Sequence, residues 1–363
     1  MKHLNYANLN AHKGRPCTPL GKYLTLWHTS DSFLHCCIES QGCRFSKESG
    51  ACVMCDYGVG RNLTPTELEK ALEETLRPAL SGVKTILFGS YGSVLDEYEI
   101  SSECLDVILD FVSKCSFDNI IFETHYSTVT LEKLIKIKNV LGNKFNITIE
   151  MGYESCDEYI LSNCLGKVMD LGELKKTMMF ICNEGMKVSL NVFLGAPFIT
   201  TKDQTLSAVK SIEWAFSNGA HSVVVFPSNI KPFTLMYDIY KAGYYSEISH
   251  WQLVDVLDRI PVDYLDRVSL SWFGDRKNFY EDDKYPLLPP KDCEKCHEKI
   301  FAFYREFRGA NSGGARKELL DSLLKDSVND CSCRDEYLYN FNNGEGRLSP
   351  EKIEEIVGDV KKR

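Results

Sequence analysis

From residue 22 to residue 261 the chain alternates short apolar runs with longer amphipathic ones, and that rhythm leaves few folds open to it. The apolar runs are Tyr23–Trp27, Lys84–Phe88, Asn119–Glu123, Ile147–Met151, Lys187–Phe193 and Ser222–Phe226. Each is rich in Val, Ile, Leu or Phe and is bounded by polar or glycine signals, as strands are. Runs apolar on both faces suit a parallel sheet covered on both sides. Helical segments separate them. Thr64–Ala79 opens on Thr64-Pro65-Thr66-Glu67, an N-cap with Pro at the first helical position and a Glu at the third. Ser101–Lys114 and Leu131–Leu141 follow, then Leu171–Asn183 and Thr205–Ser217, the last two ending at Glu184-Gly185 and Asn218-Gly219. Six βα units predict an α/β fold, a partial (β/α)6 TIM-like barrel in preference to a flat doubly wound sheet. In either, chemistry belongs at the C-terminal ends of the strands.

The 363 residues divide by character into an N-terminal extension (1–21), the barrel (22–285) and a small cysteine-containing C-terminal domain (286–363). The polar, proline-containing stretch Tyr280–Pro290 reads as the linker. A net charge of −9 gives no bulk attraction for polyanions. No run resembles a signal peptide or reaches the length of a transmembrane helix, so a cytoplasmic protein with no membrane partner is expected. There are 15 cysteines, an odd number. In a reducing compartment that count points to metal ligands and buried thiols, not disulfides.

Three of them follow the first apolar run, in Cys43-x8-Cys52-x2-Cys55. Three thiolates there can hold three irons of a cubane and leave the fourth iron open. A zinc knuckle is the alternative, with Cys36, Cys37 or His35 as fourth ligand. Position argues for the cluster, because a zinc knuckle has no reason to sit at the top of the first βα unit.

Several segments, in order, carry a resemblance. They are Gly42-Cys43 with Gly50-Ala51-Cys52-Val53-Met54-Cys55-Asp56-Tyr57-Gly58, then Phe88-Gly89-Ser90-Tyr91-Gly92-Ser93-Val94-Leu95-Asp96, Phe122-Glu123-Thr124 and Gly152-Tyr153-Glu154. Ala196-Pro197-Phe198, Pro227-Ser228-Asn229 and Thr234-Leu235 follow. The chain resembles the radical S-adenosylmethionine (SAM) subunit of archaeosine synthase and its bacterial relatives, a group related to the radical SAM domain of the elongator acetyltransferase. The resemblance implies a barrel of the radical SAM type, a [4Fe-4S] cluster on Cys43, Cys52 and Cys55, and SAM on the open iron. It also implies that the turn Gly89, Ser90, Tyr91, Gly92 meets the SAM amino group. An electron donor of flavodoxin or ferredoxin type is implied too, and a substrate that is a peptide, a small metabolite or a modified tRNA base. Departures, such as Asp56 where relatives often carry Gly and Gly-Tyr-Glu in place of Gly-Leu-Glu, leave room for a different substrate.

Other positions divide more evenly between function and structure. Glu123 ends the third run and Glu154 lies just past the fourth, so each is a candidate contact to SAM or substrate and a candidate catalytic carboxylate; a solvated loop carboxylate and a neighbour of the next helix cap are the plain alternatives. Asn191 within the fifth run and Asn229 past the sixth must find partners, in ribose, adenine, substrate or the protein itself. His125 and Tyr126 could touch substrate, although lone His and Tyr residues are more often structural. In the tail, Cys293-x2-Cys296 and Cys331-x-Cys333 are two tight pairs that fit a tetrahedral zinc or a second iron–sulfur cluster, with His297 as an alternative ligand. Cys17, Cys104, Cys115, Cys156, Cys164 and Cys182 read as structural thiols. The competing function is a zinc protein without catalysis that binds nucleic acid or protein.

Overall fold

The computed structural model describes residues 23–50, 52–56, 60–271, 288–326, 331–344 and 346–362. The N-terminal extension, Cys17, Ala51, Tyr57, Gly58 and most of the expected linker lie outside the described residues. One sheet carries eight strands in sequence order: β1 (Leu24–Ser30), β2 (Phe33–Ile38), β3 (Thr85–Ser90), β4 (Asn119–Thr124), β5 (Asn146–Glu154), β6 (Lys187–Leu194), β7 (Ser222–Pro227) and β8 (Val268–Leu270). β1 and β2 form an antiparallel hairpin, and every later pair is parallel. Parallel neighbours in chain order need crossovers of one hand, which put the helices on one face and close the other into a partial barrel.

The expected architecture stands, with two strands added. The first apolar run is the edge strand β1, and the first parallel strand is β2, Phe-Leu-His-Cys-Cys-Ile. Its Cys36 and Cys37 are therefore strand residues, and Cys36 is wholly buried in the core beneath the helices. β8 is only three residues long and carries no periodic signal.

Leu131–Leu141 and Leu171–Asn183 are helices as expected, whereas the helix expected over Thr205–Ser217 begins four residues earlier, at Thr201, and Thr64–Ala79 is α-helical only as far as Ala71 before its last turns change pitch. In helix α2 (Pro65–Ala71) Thr64 and Glu67 form a complete capping box. Side chains alternate across a strand. In β5, Ile149, Met151 and Tyr153 enter the core, Tyr153 stacking on Trp214 at 5.0 Å. Thr148, Glu150 and Gly152 thus face the concave interior.

The tail helices, α10 (Glu294–Gly309), α11 (Gly313–Asp326) and α12 (Cys333–Asn343), pack onto the barrel's outer layer and share its core through Ile300, Phe303, Phe307 and Leu320. Arg316 fastens them, donating to the carbonyls of Leu265 (2.6 Å) and Val268 (2.8 Å). Among the described residues no helix is long and apolar enough to cross a membrane.

Candidate active site at the barrel mouth and tail metal centre

The chain leaves β2 through Ser40 and turns at Gly42, whose φ of 94° suits a residue without a Cβ. Cys43 then opens the short helix α1 (Arg44–Ser49). Arg44 clamps this helix to the loop after β3 through two bonds of 3.0 Å to Asp96. The Cys52–Cys55 turn is closed by Cys55 N–H on Cys52 O at 3.0 Å. Its Val53 is fully buried, donates to Leu165 O and accepts from Met236 N–H. That wedge fixes the loop between the turn after β5 and the helix after β7.

The glycine turn after β3 backs onto this loop. A Cβ on Gly92 would lie 2.7 Å from Cys43 Cβ, and one on Gly89 would lie 2.9 Å from Glu123 Oε2. Close approach thus requires glycine at Gly92, whose Cβ would also meet Cys43 Cα at 2.8 Å, whereas at Gly89 only the end of the Glu123 side chain would have to move. Behind the turn sits Glu99, 1% exposed, accepting from Ser40 Oγ (2.7 Å), Ser90 Oγ (2.9 Å) and Ser93 N–H (2.8 Å). Burial pushes its carboxyl up to about 7 against the pull of those bonds.

Glu154 ends β5 beside a register shift and has a φ of 66°, a strained value for a residue with a side chain. Its carboxylate pairs with Lys167 at 2.9 Å, and the same ammonium donates to Gly152 O at 2.6 Å. Burial works against the Lys167 charge, but Glu154 and the thiols of Cys52 and Cys43 outweigh it and hold its pKa above the ordinary value. Burial raises the Cys43 thiol and takes Cys52 to about 12. His125 stacks on Phe45 of α1 at 6.3 Å and receives Ser127 N–H on Nδ1. Its buried Nε2 has no partner among the described residues, and burial lowers its pKa to about 3.

Cys43, Cys52, Gly89–Gly92, Glu123 and Glu154 are therefore brought together at the mouth. Tyr126 is turned away, its hydroxyl accepting from Asp170 N–H. Asn191 and Asn229 are buried at 5% and 3%, each with an Oδ1 lacking a partner among the described residues. Asn191 lies within reach of Glu150, and Asn229 donates to Pro227 O. Sequence reasoning passed over Lys167, Glu99 and Glu150. Glu150 alone carried a signal, a charge within an apolar strand.

The tail cysteines make a different kind of site. The sulfurs of Cys293, Cys296, Cys331 and Cys333 all lie within 4.8 Å of one another. Two Zn–S bonds of about 2.3 Å at a tetrahedral angle span about 3.8 Å, so the set fits one tetrahedral ion. In a cubane each thiolate takes its own iron and stands farther off. Trp251 Nε1 donates to Cys296 Sγ at 3.4 Å, and Cys293 N–H to Cys333 Sγ at 3.3 Å. The N–H of Cys296 in the first turn of α10 pulls the Cys293 thiol down. His297 stands outside the group and stacks on Phe301 at 3.9 Å. Among the described residues, Cys43, Cys52 and Cys55 do not form a group as tight as the tail set. A cavity of about 800 Å³ opens beside the tail site, bordered by Cys293, Cys333 and Tyr337.

No protein-family model and no curated protein matches the sequence. Solved structures are similar in shape. Several of them are described as radical SAM enzymes. The radical SAM methyltransferase TsrM of Kitasatospora setae matches over 80% of this chain and 61% of its own, at 12% identity and a TM-score of 0.46. Elp3 of Methanocaldococcus infernus matches over 79% and 65%, at 16% identity and 0.45. The methylornithine synthase PylB matches over 97% and 89%, at 14% identity and 0.46. The chain thus spans less than two thirds of the length of TsrM or Elp3. Likenesses this distant concern shape alone, and the chemistry has to come from the chain's own side chains.

Proposed function

We propose that the chain is a radical SAM enzyme. The observation that carries this is the meeting of Cys43 and Cys52 with a close-packed glycine turn and the ion pair of buried Lys167 with Glu154 at the barrel mouth. Cys43, Cys52 and Cys55 would hold a [4Fe-4S] cluster with one iron left to SAM. That group would supply the electron that splits SAM and yields a 5′-deoxyadenosyl radical, which takes hydrogen from a substrate carbon. The residues of this chain bind and orient. The Gly89–Gly92 carbonyls would receive the SAM amino group, and Glu123, Glu154, Asn191 and Asn229 would offer contacts to SAM or substrate. The barrel walls exclude water around the reacting C–H. A flavodoxin or ferredoxin-type protein would deliver the electron, in a reducing compartment such as the cytoplasm. The substrate is a peptide, a small metabolite or a modified tRNA base. The tail cysteines are assigned a structural zinc.

Anaerobic reconstitution with iron and sulfide, followed by SAM and dithionite, tests this. A brown protein that releases 5′-deoxyadenosine is expected. Ala at Cys43, Cys52 or Cys55 should abolish the product, while Ala at Cys37 should not. An intact cluster that yields no 5′-deoxyadenosine would refute the proposal. Colourless protein with about two zinc ions would instead support the non-catalytic zinc protein.

A further inference from the structure

Charged side chains, Lys167 and Glu99 buried and Glu154 half-buried, flank the loop that carries Cys43 and Cys52. Lys167 is 7% exposed. The turn after β5 carries it to the site, because Val53, next to Cys52, donates to Leu165 O at 2.9 Å, two residues before Lys167. Its ammonium lies 2.9 Å from Glu154 Oε1 and 2.6 Å from Gly152 O. On the other flank Glu99 closes against Cys43, since a Cβ on Gly92 would strike both. No other cation pairs with Glu154 among the described residues.

We propose that Lys167 sets the reduction potential of the iron–sulfur cluster carried by Cys43, Cys52 and Cys55, with Glu154 as its counterweight. This rests on the radical SAM reading of the same site. Reduction adds one negative charge to the cluster. A nearby cation stabilises the reduced form more than the oxidised form and raises the potential, and an anion lowers it. In the interior such a charge is poorly screened by solvent or salt, so its effect carries over several ångströms. A plain alternative is a brace, in which Lys167 only ties Gly152 O beside the strained Glu154. A brace would cost stability in either variant without moving the potential in opposite senses.

The test is an EPR-monitored redox titration of the anaerobically reconstituted full chain, without SAM. Lys167→Met is expected to shift the midpoint negative, Lys167→Arg to leave it near wild type, and Glu154→Gln to shift it positive. Shifts of one sign in Lys167→Met and Glu154→Gln, or none in either, overturn the proposal. Should Lys167→Met fail to take up iron, Glu154→Gln decides alone: a positive shift supports the proposal, and none or a negative one overturns it. Wild-type chain that assembles no [4Fe-4S] cluster overturns the parent function instead, an outcome distinct from an unmoved midpoint.

Discussion

Glu150 lies mid-strand on the concave face of the barrel, 6% exposed, with Asn191 and Ser189 beside it across the β5–β6 register. Burial lifts its carboxyl to about 7, against the pull of those two side chains. An unfolded glutamate titrates near 4.5. The folded chain therefore keeps a proton that the unfolded chain gives up between those values. Stability from this residue falls as pH rises through that window, and the penalty is complete above about 7. Glu150→Gln should stabilise the protein by about 2 kcal/mol at pH 8 and by clearly less at pH 5. Urea melts at the two pH values check this, and equal differences at both would sink it. The residue was legible in principle. Asn191 was singled out as a polar group in an apolar strand, and the same argument applied to Glu150. Lys167 and Glu99 were not legible. Glu99 meets Ser40 across 59 residues, and no local pattern announces such a pairing.

Elements were easier to read than the contacts between them. The long parallel strands and the capped helices announce themselves through apolar runs and end signals that act within a few residues. β2 was missed because His35, Cys36 and Cys37 look like ligands when their alternation is ignored. The hairpin it forms with β1 moves the cysteine motif to the end of the first parallel strand, where a barrel keeps its chemistry. Between elements, Gly92 is the tightest joint at the mouth. Gly92→Ala would drive a methyl into Cys43 and Glu99. A loss of about 1–3 kcal/mol is expected, together with reduced iron uptake per chain. Thermal melts and iron analysis measure both, and an unchanged pair of values would remove the turn from the site. A second joint is Arg316, whose guanidinium serves three carbonyls, those of Leu265, Val268 and Ala310. Arg316→Met would leave the buried carbonyls of Leu265 and Val268 unpaired. A loss on the order of 3 kcal/mol in urea unfolding is expected; a loss under a third of that would mean that water reaches them.

At the scale of the whole molecule, helices α10 to α12 of the tail are joined to the barrel by a shared core, by Arg316 and by the four-cysteine site. Its four sulfurs come from the starts of two helices, α10 and α12, that are separated in sequence by all of α11. Cys296 is 2% exposed beneath the indole of Trp251, a residue of the barrel's own outer layer. An ion at this centre thus joins three pieces of structure, two in the tail and one in the barrel. Without it, four thiols crowd within 4.8 Å, where one thiolate can be held by its neighbours but a second would set like charges against each other. Metal binding and docking of the tail should therefore be coupled, as binding and folding are in small zinc domains. The expected content is one zinc per chain, retained in protein from which iron has been stripped. Cobalt exchanged into the site should show the absorption of a tetrahedral thiolate centre. Cys296→Ala should abolish that spectrum and lower the melting temperature, with proteolysis appearing first in the tail helices while the barrel core stays protected. Iron and sulfide in place of zinc, in chains whose Cys43, Cys52 and Cys55 have been replaced by Ala, would show that the tail holds a second cluster instead.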